Sequence, residues 1–164
     1  MATILLIDAP EGDAAVLASA LRVEGFDVVV VPSASEARKV LAEEMVALAV
    51  VDLMLRTDGE KHGLELAREL RHDYPGMRVL LTSAYHLSER QLERADCGVS
   101  GFIPKPYDVA EVVAFITAKV AGPPSSRRVW YEEPISSVDR VVPRASGAPP
   151  ARTLTNVGST RTRR

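Results

Sequence analysis

Residues 45–70 read MVALAVVDLMLRTDGEKHGLELAREL, and this stretch decides the fold. An apolar run from Met45 to Val51 stops abruptly at Asp52. A polar loop holding Asp58 and Gly59 follows, and then Leu64–His72 (LELARELRH) carries its leucines at helical spacing. A short run that is apolar on both faces, Ala47–Val51, reads as a strand buried on both sides, and such strands belong to parallel sheets covered by helices. Asp52 is then the first polar side chain beyond the core, delivered to the carboxyl end of the strand.

The same alternation extends in both directions. Thr3–Ile7 (TILLI) is a predicted strand, and Ala14–Glu24 a helix with Val16, Leu17, Ala20, Leu21 and Val23 at helical spacing. Phe26–Val31 is dense in valine, which favours a pleated strand. Ser33 with Glu36 three residues on forms a capping box that opens a helix through Ala42. Beyond Asp52 come a strand over Met77–Leu81, a more polar helix over Leu87–Ala95 and a short strand over Gly101–Ile103. A final helix over Val109–Val120 carries Val112, Val113, Ile116 and Val120 on one stripe. Fivefold β-α alternation predicts the α/β class: a doubly wound, flavodoxin-like five-stranded parallel sheet with flanking helices on both faces. In such sheets the ligand crevice lies at the carboxyl ends of the strands, where strand order reverses. The residues at those ends are Asp8, Asp52, Thr82 with Ser83, and Lys105.

The 164 residues, 46% apolar, suit one domain with a tail. Residues 1–121 form the domain and residues 122–164 the tail, which holds six of the eleven prolines. The tail also has eight arginines against three acids, so it carries +5 and the body −7. That composition predicts a mostly disordered extension. Its one apolar segment, VWYEEPISSVDRVV (129–142), places Trp130 and Tyr131 beside Arg127 and Arg128 as a candidate docking segment. An acidic body argues against nucleic-acid binding. The longest apolar run, seven residues, falls short of the roughly 18 a membrane span needs. The opening MATILLIDAPEG lacks the basic lead-in of a signal peptide, and lone Cys97 allows no internal disulfide, so a cytoplasmic protein is expected. His62, His72 and His86 lack ligand spacing.

Two carboxylates on neighbouring strand ends, Asp8 and Asp52, repel one another unless a cation lies between them. A hard cation such as Mg²⁺ prefers such oxygen ligands. Lys105 adds a positive point charge to the same crevice, and Ser83 or Thr82 a hydroxyl. Together these groups suit a phosphoryl group bonded to a carboxylate nucleophile.

The segments LLID (5–8), VVDLML (50–55), GLELAREL (63–70), VLLTSAY (79–85) and GFIPKP (101–106) resemble, in order and as a set, the receiver domains of two-component response regulators. The resemblance covers residues 1–121. It implies that Asp52 is the phosphoacceptor and that Asp8, Asp52 and the Met54 backbone carbonyl hold Mg²⁺. It implies further that Lys105, joined to Pro106 by a cis bond, binds the phosphoryl group. Ser83 would be the switch hydroxyl, and Phe102 falls at the family's rotating aromatic. The implied donor is a sensor histidine kinase or a histidine phosphotransfer protein. The implied output is a face over residues 86–121 that meets a downstream protein or a second copy of the chain. The chain would then be a stand-alone switch and not an enzyme.

Two departures stand out. Where the family has a second acid after the first strand, this chain has Ala9, which weakens the expected Mg²⁺ site unless Glu11 reaches back to it. The loop RTDGEKH (56–62) is longer than the family's and lacks its proline, so Asp58 and Glu60 could approach the site. The rival reading keeps the fold as a phosphorylation-independent interaction module. Two enzyme-like readings lack their signatures. A haloacid-dehalogenase-type phosphatase needs an acid where Met54 stands, and a flavin-binding flavodoxin needs a Ser/Thr/Gly-rich loop where the chain has APEGD.

Overall fold

Side chains alternate across each strand, so an all-apolar strand feeds two separate cores, and this chain builds both. The computed structural model describes residues 1–55, 63–84 and 99–122. Among these, the order is β1 (Thr3–Ile7), α1 (Asp13–Val23), β2 (Asp27–Val31), α2 (Ala34–Glu43) and β3 (Val46–Asp52). Then come α3 (Gly63–Asp73), β4 (Arg78–Ser83), β5 (Gly101–Pro104) and α4 (Val109–Ala121). The strands form one parallel sheet in the order β2-β1-β3-β4-β5.

Leu5, Ile7, Ala49, Val51, Val79 and Leu81 face a core closed by Ala37 and Leu41 of α2 and Leu66 and Leu70 of α3. Ile4, Leu6, Leu48, Val50 and Leu80 face the other core, closed by Leu17 and Leu21 of α1 and Val112, Phe115 and Ile116 of α4. Each large side chain fully buried this way contributes about 1.5–3 kcal/mol, which holds the strand ends in fixed register. Two helices begin on side-chain caps. The Glu36 N–H donates to the Ser33 hydroxyl (3.2 Å), one half of the expected capping box, and the Glu111 N–H donates to the Asp108 carboxylate (3.1 Å).

The expected strands and helices are present wherever residues are described, with shifted ends. Both β4 and β5 run further than their apolar cores, because Thr82 pairs with Ile103 and Ser83 with Pro104 at the carboxyl edge. The expected helix over Leu87–Ala95, Asp58 and Glu60, and the tail from residue 123 lie outside the described residues. Among the described residues no helix is long and apolar enough to cross a membrane.

Gly63, the first residue of α3, sits against the end of β3. A Cβ there would run into the Asp52 carbonyl oxygen and lie 2.9 Å from Leu53 Cα, both backbone atoms that cannot rotate away. Gly63→Ala gains up to about 1 kcal/mol of helix propensity. The overlap costs about 1–3 kcal/mol and is expected to win. A lowered thermal midpoint would check this; a stabilised variant would contradict it.

Candidate functional site

The strand order reverses between β1 and β3, and the register sets Ile7 opposite Val51. Asp8 and Asp52, each one residue further on, therefore emerge side by side where a doubly wound sheet opens its crevice. Lys105 follows β5, tied down by its N–H to the Ser83 carbonyl (2.8 Å). Its side chain crosses the end of β4, and its ammonium donates to Asp8 Oδ2 (2.7 Å) and to Asp52 Oδ2 (3.2 Å). These three side chains are only 14–16% exposed. The remaining oxygens are held by backbone: the Ala9 N–H donates to Asp8 Oδ1 (2.7 Å) and the Met54 N–H to Asp52 Oδ1 (2.9 Å). Each carboxylate is thus fixed by one main-chain donor and offers its other oxygen to Lys105.

This geometry explains the electrostatics. Burial pushes Asp8 above the usual carboxylate value; Lys105 pulls it back, but the neighbouring Asp52 adds to the upward push. For Lys105 burial alone would favour the neutral amine, yet the two carboxylates outweigh it and hold the ammonium above its ordinary value of 10.5. A raised lysine stabilises the fold fully below that ordinary value, and the contribution is lost as pH rises through the raised one. Lys105→Met leaves two carboxylates facing each other without a cation. It is expected to lower stability by about 1–3 kcal/mol at neutral pH. The deficit should shrink above the raised lysine value, where the wild type loses the charge too. Urea titrations at neutral and strongly alkaline pH check this, and a deficit equal at both would contradict it.

Of the two hydroxyls the sequence offered, Thr82 is committed: its Oγ1 donates to the Ile103 carbonyl (2.9 Å) in the buried core. Ser83 is fully buried at the end of β4, one position closer to the crevice edge. Phe102 is buried among Val79, Leu81 and Val99 in the core under α2 and α3. Met54 is exposed beside Asp52, and the Lys105–Pro106 bond is cis. Glu11 does not reach the site: it is exposed and makes no hydrogen bond or ion pair among the described residues. Sequence reasoning passed over two residues here, Gly63 and Tyr107. Tyr107 reads as one more aromatic after a proline, and the structure sets it with Asp8 on a small hollow otherwise lined mainly by apolar side chains such as Leu6, Leu17, Val50 and Ile103.

Among the described residues no three His, Cys, Asp or Glu side chains gather to hold a metal. Asp8 and Asp52 nonetheless fit Mg²⁺, which is commonly held by one or two carboxylates with waters and phosphate oxygens in the remaining positions. The donor set suffices, with one anionic ligand fewer where Ala9 stands.

A parallel sheet whose switch point presents a backbone-anchored carboxylate pair and a bridging lysine is the arrangement expected of a receiver module. Residues 4–117 match the family described as response regulator receiver domain, and the chain belongs to that family. The heme response regulator HssR of Staphylococcus aureus (strain Newman) is 36% identical over 103 residues, 62% of this chain and 44% of the relative. The chain spans less than half the length of the curated relatives it matches. The receiver domain protein of Methanospirillum hungatei JF-1 is 26% identical with a TM-score of 0.61, over 73% of this chain and 94% of that one. A response regulator of Burkholderia pseudomallei, solved with a phosphorylated aspartic acid, a calcium ion and citrate, is 28% identical with a TM-score of 0.61, over 73% and 69% of the two chains.

Proposed function

We propose that Asp52 accepts a phosphoryl group from a histidine kinase or a histidine phosphotransfer protein and that the domain is a switch rather than an enzyme. The observation that carries this reading is Lys105 bridging Asp8 and Asp52 at the switch point of the sheet. Asp52 Oδ1, held by the Met54 N–H, fixes the plane of the carboxylate and directs Oδ2 into the crevice. That oxygen attacks the phosphorus, the P–N bond of the donor phosphohistidine breaks, and the imidazole leaves as the neutral ring, its proton already carried on the other ring nitrogen. Lys105, always charged at neutral pH, moves its contact from a carboxylate oxygen to a phosphoryl oxygen and offsets its charge. Mg²⁺, held by Asp8, Asp52 and the Met54 carbonyl, would supply the remaining charge neutralisation. Met54, two residues beyond Asp52, is exposed.

The readout lies in Ser83 and Phe102. Ser83 is buried next to Lys105 in register, so a phosphoryl group on Asp52 gives its hydroxyl a new acceptor. Phe102, on the paired strand opposite Leu81, is buried in the core under α2 and α3. Coupled movement of the two would alter the face formed by residues 86–121, where a downstream protein or a second copy would bind.

The reading is supported by the related Burkholderia protein, solved with a phosphorylated aspartic acid and a calcium ion. Its test is intact-mass measurement after incubation with a small acyl-phosphate donor, with and without Mg²⁺. One added phosphoryl group that depends on Mg²⁺ is expected. No gain under either condition, and none from a phosphorylated histidine kinase, would leave the phosphorylation-independent interaction module as the better account.

A further inference from the structure

We propose that the Tyr107 hydroxyl is a positioning group for the divalent cation, holding a cation-bound water that stands in for the carboxylate missing at position 9. The proposal rests on the receiver reading above and deepens its metal site. With Ala9 in place of an acid, one more position around the cation falls to water. Such a water is a strong donor, and outer-shell partners of this kind commonly change metal affinity by about 10–100-fold.

Among the described residues, apart from Asp13, exposed at the start of α1, few groups on this side of the crevice can accept from it. The Ala9 methyl offers nothing, Glu11 turns to solvent, and the Thr82 hydroxyl is spent on the Ile103 carbonyl. Tyr107 is placed differently. It follows Lys105 by two residues, and its ring lies against the core under α1 and α4. It lines the same small hollow as Asp8, together with Ala14, Leu17 and Thr82. Burial, and then the charges of Asp13, Asp8 and Asp52, hold its phenol well above the usual range. Carboxylates from α1, β3 and the end of β1 thus bear on one phenol, at the edge of the crevice. The Tyr107 hydroxyl makes no hydrogen bond to any described residue, so its oxygen keeps its lone pairs for the water. The ring alone would serve only as packing.

Tyr107→Phe removes one oxygen and keeps the ring, and Ala9→Asp supplies the carboxylate whose place the water would take. Wild type, both single variants and the double variant are titrated with MgCl₂ at constant ionic strength. Amide shifts in ¹H–¹⁵N spectra give the affinity, and thermal melts without metal check folding. Tyr107→Phe is expected to weaken Mg²⁺ about tenfold in the wild-type background. In the Ala9→Asp background the loss should be much smaller, because the water is displaced. An equal loss in both backgrounds would reduce Tyr107 to packing, and no loss in either would overturn the proposal with the receiver reading intact. A wild type that does not respond to Mg²⁺ at all would overturn both.

Discussion

Asp52→Asn is expected to stay folded and to take up no phosphoryl group from any donor. The amide has the shape of the carboxylate and keeps an oxygen to accept the Met54 N–H, so the turn after β3 survives. Lys105 keeps its shorter contact to Asp8, and the repulsion between Asp8 and Asp52 disappears. Stability should therefore change by less than about 1 kcal/mol, since one charge-assisted contact is lost while one like-charge pair is relieved. The chemistry fails completely, because an amide oxygen is too weak a nucleophile to displace imidazole from phosphorus. Mass spectra and melting curves on the same samples separate the two effects. Residual uptake at the wild-type rate would place the acceptor elsewhere.

Ala9→Asp is expected to tighten Mg²⁺ binding by at least about tenfold, as added ligand charge does at carboxylate sites. In the wild type, Asp8 and Asp52 carry two negative charges and Lys105 neutralises one of them, so the pocket presents a net of about one to an entering cation. A second unit charge about 4 Å from a divalent ion is worth several kcal/mol before desolvation is subtracted, and a fraction of that suffices for tenfold. Ala9 is exposed, so an aspartate there meets no core side chain. Phosphoryl uptake at low Mg²⁺ should accelerate in parallel. The check is the Mg²⁺ dependence of the uptake rate in the two proteins; coincident curves would mean that position 9 does not face the cation.

Much of the fold was legible because a buried parallel strand has a simple signature. ILLI (4–7), VVVV (28–31) and VALAVV (46–51) are apolar at every position, and the two cores they feed are closed by helices of ordinary amphipathic spacing. Asp8, Asp52 and Lys105 were legible for the converse reason: each is the first charge after an apolar strand, and a parallel sheet brings all such residues to one edge. Strand ends were harder. Thr82, Ser83 and Pro104 are in the sheet although none extends an apolar run, since backbone pairing does not depend on side-chain polarity. Thr82 and Ser83 are adjacent hydroxyls in the sequence, and only the register shows that the Ile103 carbonyl takes the Thr82 hydroxyl. Gly63 and Tyr107 carried no local signal. The reason for that glycine is the Asp52 carbonyl on another element, and Tyr107 reads as a core aromatic until the fold sets it on the same hollow as Asp8.

The central claim is that Asp52 is the residue that carries the phosphoryl group. The most direct test treats the wild-type chain with an acyl-phosphate donor and Mg²⁺ and reduces the product with borohydride, which converts an aspartyl phosphate to homoserine. Fragmentation of the peptide spanning residues 45–55 then locates the change. Homoserine at position 52 alone is predicted. Conversion at another aspartate, or at none despite a cognate phosphorylated kinase, would contradict the account.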